Sequence, residues 1–169
     1  MSEHDEVRLR LRSAGGPPAG ESLRATPIEV HERGGTYRLE SHAFMAALAA
    51  GDLVRAQPDR AGVLQVVDVV RPAPAVLTLV GRVWDASIEL DAVLERWRSA
   101  GARWTEGSAG ALATVWAEGM PTQDILEVMQ PELTTKALEL LEVALPEHRT
   151  REALAGDVDF ELDAGDPHR

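Results

Sequence analysis

From Val7 to Arg12 the chain alternates apolar and basic residues, so that Val7, Leu9 and Leu11 share one face and Arg8, Arg10 and Arg12 the other. That period of two predicts a half-buried strand with its arginines in water. Leu23–His31 and Thr36–Glu40 read as two further strands, joined by a hairpin turn at Arg33-Gly34-Gly35. Phe44–Ala50 is alanine-rich and free of breakers, which predicts one or two helical turns, and Gly51 stands where a helix C-cap wants a left-handed residue. Leu53–Ala56 and the β-branched Val63–Val70 then form a second hairpin. Five short strands with one helical plug predict a small twisted sheet or a partly closed barrel.

The rhythm changes at Arg71-Pro72-Ala73-Pro74-Ala75, where two prolines in four residues resist both helix and central strand. After it, Val76–Val83 reads as a strand. Ser87 can cap a helix to Ala100 that buries Leu90, Val93, Leu94 and Trp97, with Gly101 as its stop. Ala102–Thr105 and Ala111–Ala117 read as a hairpin across a glycine-rich turn. Pro121 opens a short helix, and a further helix is expected from Pro131, burying Leu133, Ala137, Leu140, Leu141 and Ala144 and pairing Glu132 with Lys136 outside. Finally Val158, Phe160 and Leu162 alternate with Asp157, Asp159 and Glu161, the pattern of an edge strand with its charges outward.

The expected fold is therefore α+β. Residues 1–71 form an antiparallel β unit with one short helix, 76–163 a ferredoxin-like split βαβ unit, and 164–169 a flexible tail.

The quoted segments also resemble a known pattern. ESLRATPI (Glu21–Ile28), TYRLESHAF (Thr36–Phe44), GDLVRAQPD (Gly51–Asp59) and the strand ending VVRP are similar to the uncharacterised bacterial family called domain of unknown function 4265, over residues 7–145. The family order is a strand, an E-x-L-W-A-like segment, a Y-R-x-x-N-x-P-F-like segment and G-D-x-V. Here Arg24 replaces the usual aromatic, Ser41-His42-Ala43 the asparagine-containing turn, and the Ser-Gly after the fourth strand is absent. The family has no established activity, so the resemblance implies fold boundaries and nothing about chemistry.

Composition narrows the function. Of 169 residues 28 are acidic and 17 basic, a formal charge of -11. Such a surface repels phosphate backbones and anionic lipids, which argues against nucleic-acid and membrane partners and suits a basic protein. There is no cysteine, hence no disulfide and no thiolate chemistry, and no apolar run approaches a membrane span. The N-terminal MSEHDEVRLRLR has acids where a secretory signal needs a basic start, so a cytoplasmic protein is expected.

The five histidines show no metal-ligand spacing, and neither a metal nor a cofactor is expected. Ser41, His42 and Asp52 hint at a nucleophilic triad, but neighbouring residues in an extended segment point apart and no G-x-S-x-G turn is present. No catalytic residue is assigned. The reading that emerges is a non-enzymatic acidic binding protein, in its sharpest form an immunity protein or antitoxin neutralising a basic toxin. Its contact residues would be Trp84 and Asp85 after a strand, with Asp157, Asp159 and Glu161 on the tail. The alternative is a small-ligand-binding protein or enzyme using a cleft between the halves, with Glu40, His42 and Asp52 as its first residues.

Overall fold

Residues 6–12, 20–82, 87–108, 110–150 and 154 are described by the computed structural model. Five strands, β1 (Val7–Arg12), β2 (Gly20–His31), β3 (Gly34–Leu39), β4 (Leu53–Pro58) and β5 (Leu64–Arg71), close into a barrel. Successive strands pair antiparallel, as their alternation predicts. The seam is different: β1 meets β5 in parallel, with Arg10 opposite Gln65. Closure, where at most a partial barrel was expected, follows from local bending. β2 carries a bulge between Pro27 and Glu29 and the β4–β5 pairing has two register shifts, and bulges increase the twist that brings a sheet round on itself.

Between β2 and β3 the chain turns at Gly34, whose φ is +123°. A Cβ there would stand 2.2 Å from the Ala56 carbonyl oxygen of β4, so the close approach of the strands as well as the turn demands glycine. Leu9, Leu11, Leu23, Ala25, Leu39, Val54 and Ala56 fill the interior, while Arg8 and Arg10 are exposed, as the period of two requires.

After the proline-rich segment come β6 (Leu77–Arg82), α1 (Leu90–Ala100), β7 (Ala102–Ser108), β8 (Ala111–Trp116), α2 (Thr122–Thr134), β9 (Leu138–Ala144) and a 3-10 turn at Pro146–His148. The strands form an antiparallel sheet in the order β7-β8-β6-β9. Both helices cover one of its faces: Val93 and Trp97 of α1, with Ile125 and Met129 of α2, pack on Val76, Val80, Leu112, Trp116 and Leu138. α1 begins at Leu90 after Glu89, three residues beyond the expected cap Ser87, and stops at Gly101, whose φ of +125° no other residue adopts easily.

Three expectations are corrected. Phe44–Ala50 is not helical but an irregular loop. Its small side chains let it lie between two layers: Ala43 and Leu48 join the barrel core, while Ala47 and Ala49 pack on Leu77, Ala113, Val115 and Ala144, the sheet face away from the helices. The helix expected from Pro131 is also absent. α2 ends at Thr134, Lys136 takes a left-handed φ of 55°, and Leu138–Ala144 is instead the outer strand β9. Glu132 is accordingly buried and paired with Arg96 of α1, not with Lys136. Leu94 and Leu140, expected in the core, are only half-buried. The edge strand expected at Asp157–Leu162 lies outside the described residues.

Among the described residues no helix is long and apolar enough to cross a membrane.

Candidate functional site

The loop from His42 to Asp52 is largely buried without regular structure, so its amides need partners from elsewhere. Side chains supply five of them. Glu106 of β7 accepts the His42 amide at 2.6 Å, and Glu21 of β2 accepts those of Phe44 and Met45 at 2.9 and 3.0 Å. Asp52 Oδ2 accepts the Ala49 amide at 2.8 Å and His42 Nδ1 the Ala50 amide at 2.9 Å. Backbone carbonyls take the amides of Ala43, Leu48, Gly51 and Asp52. The loop is thus held by His42 and Asp52 from within it and by Glu21 and Glu106 from neighbouring strands.

Asp52 has a second task. Its Oδ1 accepts the Ala73 amide at 2.7 Å, and its Oδ2 faces Arg149 Nε at 3.3 Å, with both side chains fully buried. Arg149, just past the 3-10 turn, donates from Nη1 to the carbonyls of Ala75 (2.7 Å) and Ala144 (3.2 Å) and from Nη2 to that of Ala73. One guanidinium therefore ties the loop, the linker and the end of β9 together. Burial pushes the Asp52 carboxyl above the ordinary carboxylate range, against the pull of Arg149 and two amides.

His42 and Glu40 do reach a cleft. A hollow of about 300 Å³ opens where barrel and sheet meet, lined by Arg38, Glu40, His42, Arg103 and Trp104 among others. A second, polar hollow on the other side of His42 holds Arg8, Glu21, Arg24 and Glu106. Asp52 lines neither. Ser41 is engaged too, its Oγ accepting the Arg24 amide at 3.0 Å, so Ser41, His42 and Asp52 each serve the backbone separately.

Glu40 accepts from Thr26 Oγ1 at 2.7 Å and from Arg38 at 3.0 Å. Partial burial acts to raise its carboxyl, but Thr26, Arg38 and Arg24 outweigh this and hold it below the ordinary range. Glu21 moves the other way, raised by burial and by Glu106 against the two loop amides it accepts.

His42 is 2% exposed, and its ring meets Trp104 edge-on with centroids 6.1 Å apart. Burial depresses its pKa, Glu106 and the Trp104 backbone pull it upward, and Arg149 adds to the depression. Because Nδ1 accepts a hydrogen bond, the proton of the neutral ring sits on Nε2. The Trp104 backbone acts on that proton without reaching hydrogen-bond geometry, and Nε2 has no partner among the described residues.

A pH dependence follows. The unfolded chain takes up a proton on His42 near the ordinary imidazole value of about 6.5, while the folded chain resists it to lower pH. The unfolded state then binds more protons, so the contribution of His42 is full above that value and lost as pH falls through it. In thermal melts the stability advantage of wild type over His42→Gln should narrow between pH 7 and about 5.5. A constant or widening gap would mean that the folded ring is protonated as easily as the unfolded one.

Sequence reading missed Arg149, Glu106, Glu21, Arg103 and Trp104. A signal existed for two of them: Trp104 and Glu106 are two apart in a strand and so share a face, the one that meets His42. The expected contact residues Trp84, Asp85, Asp157, Asp159 and Glu161 lie outside the described residues. Among the described residues no cluster of three or more His, Asp or Glu could hold a metal ion.

Neither a family model nor a curated protein matches the sequence. Among solved structures, the chain is similar to a hypothetical protein from Neisseria gonorrhoeae, with a TM-score of 0.61 and 13% identity over 86% of this chain and 98% of that one. At that identity the likeness concerns the fold alone.

Proposed function

We propose that the chain is a non-enzymatic acidic binding protein acting in the cytoplasm on a basic protein partner, in its sharpest form an immunity protein or antitoxin neutralising a toxin. The observation that carries this reading is the commitment of the candidate catalytic groups to the fold. His42, Asp52 and Ser41 hold amides, and Glu40 is neutralised by Arg38, which leaves no nucleophile–base pair among the described residues.

The charge is instead on the surface. Among the described residues the outer strand β9 pairs only with β6, and it exposes Glu139, Leu141 and Glu142, with Leu141 53% exposed. An outer strand flanked by acids suits an extended basic segment added alongside it. Trp84, Asp85, Asp157, Asp159 and Glu161 belong to the same proposed contact set. We read the layered half as a ferredoxin-like split βαβ unit, supported by its element order β-α-β-β-α-β and its antiparallel strand order.

The test is stoichiometric capture at low ionic strength from the organism that makes the protein. The expected result is one basic protein, released by salt, whose activity the chain suppresses and whose binding weakens in a Glu139→Gln, Glu142→Gln variant. Capture that is indifferent to salt and to both substitutions would sink the reading.

A second reading, a small-ligand-binding protein or enzyme using the cleft between the halves, is favoured by the hollow that Glu40 and His42 line.

A further inference from the structure

The geometry points to the hollow between barrel and sheet as a binding site for a small planar acid, an aromatic or heteroaromatic carboxylate whose ring lies on Trp104 and whose carboxylate meets Arg103. This rests on the second reading above and gives it a ligand class.

Two features converge there. Trp104 is 43% exposed at the rim of a concave surface, although the neighbouring Trp97 and Trp116 are fully buried. An indole face held open in a hollow is a stacking platform for a flat ring. Next, the local charge runs against that of the chain. Glu40 is matched by Arg38, which holds it through Nε and Nη2 at 3.0 Å. Arg103 has no acidic partner among the described residues, so two arginines against one glutamate leave the hollow with a net charge of +1 in a protein of -11. His42 lies beside both, its ring edge-on to Trp104.

The other charges near the ring do not offset this. Glu106 lines the hollow on the far side of His42 and has its oxygens taken by the His42 amide and the Arg24 guanidinium. Glu21 is occupied with Phe44 and Met45. A carboxylate bound by Arg103 would make charge-assisted hydrogen bonds, while the ring would cover Trp104 and Val115. The volume of about 300 Å³ suits one or two fused rings.

The test titrates the full chain with benzoate and 1-naphthoate, against benzamide and benzylamine as neutral and cationic counterparts, following the indole and imidazole resonances by NMR. The expected result is that both carboxylates bind, naphthoate more tightly, shifting the Trp104 indole and His42 signals, while benzamide and benzylamine bind at least about tenfold more weakly. Arg103→Gln should weaken naphthoate by about tenfold with the melting temperature unchanged, and Trp104→Ala by about tenfold with the fold retained by circular dichroism. Benzylamine or benzamide binding as well as benzoate would overturn the acidic ligand class while leaving the cleft reading standing. Naphthoate binding that ignores both substitutions would place the ligand elsewhere and overturn the site. Failure of all four compounds at millimolar concentration would overturn the inference and the cleft reading together. The proposal of a basic protein partner would be untouched.

Discussion

Arg149→Met should cost about 3–5 kcal/mol, as removal of one partner of a buried ion pair does. The guanidinium is fully buried and donates to the carbonyls of Ala73, Ala75 and Ala144. Methionine matches much of its volume but none of its donors, so three carbonyls and the Asp52 carboxylate lose their partner together. Asp52 carries the pH signature of this loss. Its carboxyl already titrates above the ordinary range because of burial, with Arg149 among the groups pulling it down. Without Arg149 it should titrate higher still. A folded state whose acid has a raised pKa binds more protons than the unfolded one, so its stability rises as pH falls. The deficit of Arg149→Met, measured by denaturant unfolding, should therefore be largest near neutrality and shrink toward pH 5. Asp52→Asn added to Arg149→Met should cost less than the sum of the two single changes. A deficit below about 1 kcal/mol, the same at both pH values, would mean that Arg149 is no tie at all.

Nothing in the sequence marks Arg149. It stands in PEHRTRE among other charges, where solvation is the default, and its partners are backbone carbonyls 5, 74 and 76 residues away. The strands were legible for the opposite reason: alternation such as VRLRLR is a local consequence of having one face buried.

The two misread elements show where local signals fail. Ala137, Leu140, Leu141 and Ala144 fit helical spacing because β9 has a register shift opposite Leu79 and Val80. A bulge inserts a residue, breaks the period of two and sets two leucines side by side, which mimics a helix. Alanine propensity likewise favoured a helix over Phe44–Ala50. There the small side chains serve close packing between two layers, and Glu21, Glu106, His42 and Asp52 offer the amides better partners than a helical turn would. Of the candidate site, Glu40 and His42 were legible because polar residues beside an apolar loop invite attention. Their true neighbours Arg103, Trp104 and Glu106 come from a strand more than 60 residues away, and that pairing is tertiary.

Trp97→Ala should also cost about 3–5 kcal/mol, as removal of a large buried aromatic side chain does. Trp97 is fully buried beneath α1, its ring 5.9 Å from that of Trp116 and tilted by 45°. The sharper test compares the two indoles after changes to phenylalanine. Trp97 Nε1 is buried without a partner among the described residues, whereas Trp116 Nε1 donates to Thr78 Oγ1 at 2.9 Å. Replacing Trp97 by Phe removes volume but also an unsatisfied donor, and the second effect offsets part of the first. Replacing Trp116 by Phe removes the same volume and also leaves the buried Thr78 hydroxyl without its donor. Burial alone makes the two sites equal, since both are fully buried, so only the hydrogen bond separates them. Trp116→Phe should therefore be the more destabilising by about 1 kcal/mol, read as a lower denaturation midpoint by circular dichroism at unchanged slope. Equal midpoints would mean that a hydrogen bond also holds the Trp97 indole. The reverse order would mean that the Thr78 contact contributes nothing to this core.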